Sequence, residues 1–312
     1  MEASVPDLRP PLLLGFDFED WHQLVYRRLG LATWDAARPP FERQVEEILS
    51  LLEEIATSAT FFLLGMTAKN YPRLVEQVVS RGHEIACHGH AHIPAFRQTR
   101  SDFRRDVQEA LAIIGDLTGR TPAGYRAPIF SITRDAPWVF DVLAELGFAW
   151  DSSLHDSPRI ARRLEGIPVA PCRLRTTEGR ELWEFPIAVW SVRGVTVPLG
   201  GGSYWRVFPW AVLERGLVRR SAQAAGGALY FHPYEFDPQP LRVELSEGSP
   251  PGMRLRALQR SLRASPLRAR IPRSLRRLGR WFRLTSYEDA YEELTATHSG
   301  STRSLSGEGV LV

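Results

Sequence analysis

The most restrictive feature of this sequence is an alternation of short, strongly apolar runs with longer amphipathic stretches. That is the pattern of an α/β fold built on parallel strands. Leu12–Phe18 reads as a first strand, and Phe41–Ile55 as a helix with Val45, Ile48, Leu51 and Leu52 on its apolar face. Ala59–Leu64 reads as a buried strand, Tyr71–Ser80 as a helix stopping at Gly82, and His83–Cys87 as the next strand. Ser101 is the expected N-cap of a helix that ends near Gly119. Tyr125 begins a further extended stretch, and Asp135–Leu146 is a predicted helix with Gly147 as its C-cap. Phe148–Asp151, Leu182–Pro186 and Ala228–His232 complete the predicted strands, and Pro209–Ala225 is the last predicted core helix. The pattern is that of an α/β fold with parallel strands, read as a (β/α) barrel, with no internal repeat.

At 312 residues and 44% hydrophobic content the chain can bury a large core, and a barrel of this kind runs as one domain. The reading is one domain over residues 1–294, with an arginine-rich helical extension at about 240–294 and a disordered tail at 295–312. The basic residues are almost all arginine, Lys69 being the lone lysine, and no acid appears between Arg254 and Arg283. Two cysteines, Cys87 and Cys172, make no disulfide framework and suit a reduced compartment. The apolar start of the first strand is too short for a signal core, so the expectation is a cytoplasmic protein, with membrane association as an option.

The unusual polar residues fall at strand ends. Asp17, Glu19 and Asp20 close the first strand, and His88, His90 and His92 follow the third. Arg126, Asp151 and His232 end later ones. In a parallel barrel the carboxyl ends of the strands share one face, so these groups are expected to converge there. Two histidines four apart and a carboxylate make a facial metal site with open positions, and zinc is the divalent metal this donor set suits.

Five blocks carry a family resemblance. They are GFDFEDW at 15–21, EIACHGHAH at 84–92, GYRAPIFS at 124–131, WDSS at 150–153 and YFHPYEF at 230–236. In this order they resemble the polysaccharide deacetylase (NodB-type carbohydrate esterase) family, over residues 11–240 or so, and the resemblance implies that family's distorted (β/α) barrel. PLGGGSYWR at 198–206 and HPYEFDP at 232–238 resemble a narrower branch associated with exopolysaccharide biosynthesis, in which a further C-terminal segment follows the last block.

The resemblance implies a role for each residue. Asp17 matches the general base that activates the attacking water, and Arg126 the cation that keeps it ionised. His88 and His92 match the imidazole ligands, with His90 a polar neighbour between them. Strand alternation puts Asp17 and Glu19 on one face, which favours Glu19 as the carboxylate ligand; Asp20 is its competitor. His232 matches the acid that protonates the departing amine, and Asp151 the carboxylate that orients it. Pro128 shapes the arginine loop. A backbone N–H near Pro94 or Arg126 would join the metal in holding the developing negative charge on the acetyl oxygen. Tyr230 stands where many relatives have a leucine lining the acetyl pocket.

Gly200-Gly201-Gly202 lacks the lysine and hydroxyl residue of a phosphate loop and reads as a tight turn near the sugar, with Tyr204 and Trp205 as candidate stacking residues. Arg254–Arg283 interleaves arginines with Leu255, Leu258, Leu262, Leu267, Leu275 and Leu278, so its option is a peripheral membrane contact. Nothing points to nucleic acid. The expected activity is metal-dependent removal of the N-acetyl group from an amino sugar, in a polymer or a lipid-linked glycan precursor. The alternatives are hydrolysis of a small non-sugar amide or ureide on the same fold, and an inactive carbohydrate-binding relative.

Overall fold

The computed structural model describes residues 7, 9–158, 160–221, 227–297 and 300–312. Its strands are β1 (Pro11–Phe18), β2 (Thr60–Leu63), β3 (Glu84–Cys87), β4 (Gly124–Tyr125), β5 (Trp150–Asp151), β6 (Cys172–Arg175), β7 (Glu181–Glu184), β8 (Val189–Val192), β9 (Val195–Pro198), β10 (Ala228–Phe231), β11 (Arg283–Thr285) and β12 (Ser301–Ser304). The helices of the first half are α1 (Trp21–Leu29), α2 (Pro39–Glu54), α3 (Gly65–Asn70), α4 (Pro72–Ser80), α5 (Arg100–Thr118) and α6 (Val139–Glu145). The second half adds α7 (Gly202–Val207), α8 (Trp210–Ser221), α9 (Pro251–Ala264), α10 (Arg270–Leu278) and α11 (Tyr287–Ala296).

The main sheet runs β10-β1-β2-β3-β4-β5-β7-β6-β12, with β11 also paired to β1. From β10 to β7 every pairing is parallel. A single parallel bridge, Ile187 with Ala228, links the segment after β7 back to β10. The sheet therefore curls into the distorted barrel expected, without a complete ladder at its seam. Alternation along β1 divides the core. Leu12, Leu14, Phe16 and Phe18 pack outward among the helices, whereas Leu13 joins Phe62, Trp150, Phe185 and Tyr287 in an inner cluster. Asp17 shares that inward phase, which brings a carboxylate to the carboxyl-end face.

Several local expectations are corrected. Thr99, not Ser101, caps α5, its hydroxyl accepting from the Asp102 amide. The helix predicted from Asp135 begins only at Val139, because Pro137 interrupts the earlier turn. Of the predicted helix Pro209–Ala225, α8 covers Trp210–Ser221; residues 222–225 lie outside the described residues. The tail expected to be disordered contains β12, which pairs with β6 along Ser301–Ser304. Its composition is polar, but Leu305 and Leu311 are buried, and β12 supplies the ladder bonds an edge at β6 would lack.

Gly124 sits against the fully buried Trp150: a methyl group there would lie 1.9–2.2 Å from three atoms of the indole. Gly124→Ala is therefore expected to destabilise the fold by about 3 kcal/mol. Thermal unfolding checks this, and an unchanged midpoint would show that Trp150 moves freely.

Candidate active site

The site begins where β1 runs out. Asp17 is buried, and its Oδ1 accepts from Arg126 Nη1 at 2.7 Å. Arg126, at the end of β4, is wholly buried beneath the face of the Phe62 ring, 3.7 Å from its centroid. Its Nε donates to the Ser152 carbonyl at 3.2 Å, and its Nη2 to the Ser152 hydroxyl and to the Tyr287 hydroxyl. Gly15 leaves room for this guanidinium, since a Cβ there would stand 3.1 Å from Nη1. A buried charge this fully hydrogen-bonded can persist in an apolar barrel.

One turn beyond, Glu19 Oε1 lies 2.8 Å from His88 Nε2 and 2.9 Å from His92 Nε2. The three form a group whose ligand atoms lie within 4.8 Å of one another. His88 Nδ1 stands 2.7 Å from the Arg126 carbonyl, an acceptor, so this nitrogen carries the proton and donates. In the neutral ring Nε2 is then a lone pair facing a carboxylate oxygen. A carboxylate oxygen between two imidazole nitrogens is a donor set that fits a divalent metal. The loop carrying both histidines is pinned by Asp106, which accepts from the amides of His90 (2.8 Å) and Ala91 (3.0 Å). His90 itself turns away to Glu109, 3.2 Å distant.

Asp20, the competing ligand, stands outside this group. It caps α1 by accepting from the His22 amide at 2.8 Å, and it accepts from the Tyr71 hydroxyl at 2.7 Å. His232 lies across from the metal-type group, its Nε2 3.8 Å from Asp17 Oδ2 and 3.9 Å from Glu19 Oε2. Burial opposes its protonation, but the Glu235 hydrogen bond and the charges of Glu19 and Asp17 outweigh that and raise its pKa to about 9.

The partner expected for His232 is corrected. Asp151 is engaged elsewhere, accepting from the Ser153 amide at 2.8 Å and the Ser153 hydroxyl at 2.7 Å. Glu235 takes the place beside His232, with Oε2 3.4 Å from Nδ1 and 3.0 Å from the backbone nitrogen. A signal for it was present: an acid three residues after His232, with Pro233 between, forms a capping arrangement. Tyr287 was invisible to sequence reasoning, because it follows the arginine-rich segment with no local pattern around it.

The candidate substrate contacts divide. Trp205 is core, its indole donating to the Leu199 carbonyl at 2.6 Å, so it offers no stacking face. The glycine run serves packing. A Cβ on Gly201 would meet the Tyr230 ring at 2.4 Å, and one on Gly202 the Glu235 carboxylate at 2.2 Å. Tyr204 and Tyr230 line a cavity of about 560 Å³ with His155 and Phe130, reaching His232. Pro128 is buried and opens the short turn before Ile129 and Phe130. These two hold φ of 51° and 55°, an uncommon conformation for bulky residues. They stand between that cavity and the catalytic one. The catalytic cavity, about 280 Å³, has Asp17, Glu19, His92 and His232 among its lining residues.

Asp151 and Glu184 are register partners on β5 and β7, both fully buried. Burial, then the Asp151 charge, pushes Glu184 well above the carboxylate range. Glu184 Oε2 has no hydrogen-bond partner in the heavy-atom geometry, which one proton shared by the pair would supply. A carboxyl with a raised pKa in the folded state binds its proton more tightly there than when unfolded. Its stabilising effect is therefore present at low pH and fades as pH rises through the raised value. Unfolding midpoints between about pH 5 and pH 9 are expected to fall less steeply in Glu184→Gln than in the parent. Equal slopes would mean that no proton is shared.

Comparison with known proteins places this geometry. Residues 28–149 match the family model described as polysaccharide deacetylase, and residues 157–292 match a domain of unknown function, DUF3473. The peptidoglycan deacetylase of Helicobacter pylori is 27% identical over 110 residues, 35% of this chain and 36% of that one. The chitooligosaccharide deacetylase of Sinorhizobium fredii is 38% identical over 76 residues, 24% of this chain and 34% of that one. The match thus spans about a third of the length of these curated relatives. Among solved structures, a Mycobacterium smegmatis protein described as a polysaccharide deacetylase has a TM-score of 0.63 at 20% identity, covering 96% of this chain and 95% of that one. An allantoinase has a TM-score of 0.60 at 18% identity, covering 95% of both chains; likeness at such identity speaks to the fold. The chain has the fold of these structures, and its residues 28–149 carry the match to the polysaccharide deacetylase family.

Proposed function

We propose that this site hydrolyses the N-acetyl group of an amino sugar within a polysaccharide or a lipid-linked glycan precursor, with a divalent metal held by Glu19, His88 and His92. The observation that carries the reading is the shared Glu19 oxygen facing two imidazole Nε2 atoms, with Asp17 on one side and His232 beside both carboxylates. A divalent cation bound there, zinc being the ion this donor set suits, would polarise the amide carbonyl and acidify the attacking water. Asp17 takes the proton as water adds to the amide carbon, and Arg126 keeps that carboxylate ionised and aimed. His232, held protonated with Glu235 behind it, gives its proton to the nitrogen as the carbon–nitrogen bond breaks. Acetate and a free amine result.

Tyr204 and Tyr230 are the substrate contacts in this reading, lining the cavity beside His232. A peripheral membrane contact through Arg254–Arg283 belongs to it as well. On α9, Leu255, Leu258 and Leu262 are exposed, whereas Leu275 and Leu278 of α10 are buried. Among the described residues no helix is long and apolar enough to cross a membrane.

The test is acetate release from N-acetylglucosamine oligomers, with bound metal quantified and a ureide assayed in parallel. Chelation is expected to abolish release, and His88→Ala to lose the metal. Asp17→Asn should lower kcat by about 10²–10⁴-fold while the metal stays bound. Turnover that ignores both chelator and Asp17→Asn would overturn the mechanism, and turnover of the ureide alone would overturn the substrate. Tyr287→Phe, which strips one hydrogen bond from Arg126, is expected to lower kcat roughly tenfold with KM and metal content unchanged. Full activity in that variant would remove Tyr287 from the catalytic support.

A further inference from the structure

The catalytic cavity combines acids at its base with unpaired cations at its edge. Asp17 and Glu19 are its only carboxylate lining residues, and both are buried; Arg28, Arg260 and Arg263 are exposed. Arg28 comes from the end of α1, and the other two from successive turns of α9. Packing fixes this meeting of distant segments, because Trp21 and Val25 of α1 share an apolar cluster with Ala264 of α9. Arg206 also lines the cavity but is engaged, donating to the Ala264 carbonyl at 2.7 Å and lying 3.7 Å from Glu235.

Many other arginines of this surface have acids beside them, as in Arg81 with Glu46, Arg100 with Glu178 and Arg276 with Glu54. Among the described residues, Arg28, Arg260 and Arg263 have no carboxylate within ion-pair distance. Desolvation at the cavity edge, and after it the charge of the nearby Arg260, lower the pKa of Arg28, with Glu19 opposing them. A second cavity of about 500 Å³ continues past His92, lined by Arg27, Arg28 and Arg97 and by no acid. Gathering like charges costs free energy, which an anion at the same place would recover. The guanidinium fork matches carboxylate and phosphate oxygens two at a time.

We propose that Arg28, Arg260 and Arg263 form an anion-binding mouth over the catalytic cavity, and that the glycan substrate carries a carboxylate or phosphate next to its N-acetylated sugar. This rests on the deacetylase reading for its site and deepens it by naming the charge of the substrate. It also gives the segment at residues 157–292 a task, since Arg260 and Arg263 lie within it while Arg28 opens the deacetylase match.

The experiment is calorimetric binding to the full-length, metal-loaded Asp17→Asn protein, which binds without turnover. The probes are a neutral N-acetylglucosamine tetramer, a tetrasaccharide alternating N-acetylglucosamine with glucuronate, and N-acetylglucosamine linked to a diphosphate. At least one anionic probe is expected to bind roughly tenfold more tightly than the neutral tetramer. Added salt should erode that preference, and so should the further changes Arg28→Gln, Arg260→Gln and Arg263→Gln. Uronate preference or diphosphate preference would each support the mouth and name the source of the anion. The salt dependence needs no arginine variant, so it holds even if the triple change unfolds the chain. Equal, salt-insensitive binding of all three probes would overturn the proposal. Acetate release from the neutral tetramer by the parent protein is scored separately, so loss of the anion preference and loss of the deacetylase reading are distinct results.

Discussion

A buried guanidinium organises this protein. Arg126 lies inside the barrel, where an isolated charge would be prohibitively costly, and residues from three strands and a helix hold it. Asp17 from β1 supplies the counter-charge, Ser152 after β5 supplies two acceptors, Phe62 of β2 lies under its plane, and Tyr287 arrives from α11. Removing one partner of such a pair typically costs about 3–5 kcal/mol, because the other is left buried and uncompensated. The same contacts that make the charge tolerable also aim the Asp17 carboxylate. Stability and chemistry are therefore coupled at one residue, and the glycine at position 15 is part of that arrangement because any side chain there would press on the guanidinium.

The rest of the site is built outward from this centre. The Arg126 carbonyl fixes the tautomer of His88, which turns a lone pair toward Glu19. Glu19 in turn meets His92, whose loop is tied down by Asp106. Across the cavity, Glu235 lies behind His232, which stands beside two carboxylates. The outcome is an imidazole facing two buried carboxylates across the cavity, at separations under 4 Å. The strained Ile129–Phe130 turn separates this centre from the larger aromatic cavity, and strain of that kind persists where surrounding contacts impose it.

Two stretches matching separate family models form one continuous structure. Strands β10 and β11 both pair with β1, and β7 pairs with β5, so the second stretch completes the sheet begun by the first. Tyr287 reaches the centre of the site from the second stretch, and His232 also lies within its bounds.

Much was legible in the sequence because local patterns carry it. Alternation along β1 put Asp17 and Glu19 in phase, and the observed geometry brings Glu19 to both histidines while Asp20 caps α1. What composition suggested about the tail failed for a physical reason: strand pairing rewards backbone groups, and polar residues such as Ser301–Ser304 have those as well as any others. The triple glycine and Trp205 looked like a sugar platform, yet close packing on Tyr230 and Glu235 demands the glycines and the core claims the indole.

By itself, then, the amino-acid sequence determined the α/β barrel and the order in which Asp17, Glu19, His88, His92, Arg126 and His232 fall at the ends of its strands. Periodicity and motif spacing are local properties, written in consecutive residues. Only the tertiary structure decided that Glu235 rather than Asp151 stands behind His232, that Tyr287 supports Arg126, and that Arg28 meets Arg260 and Arg263 at one mouth. These pairings join segments separated by up to 161 residues for hydrogen bonds at the site, and no local pattern encodes which distant side chain will fill a space that the curled sheet creates.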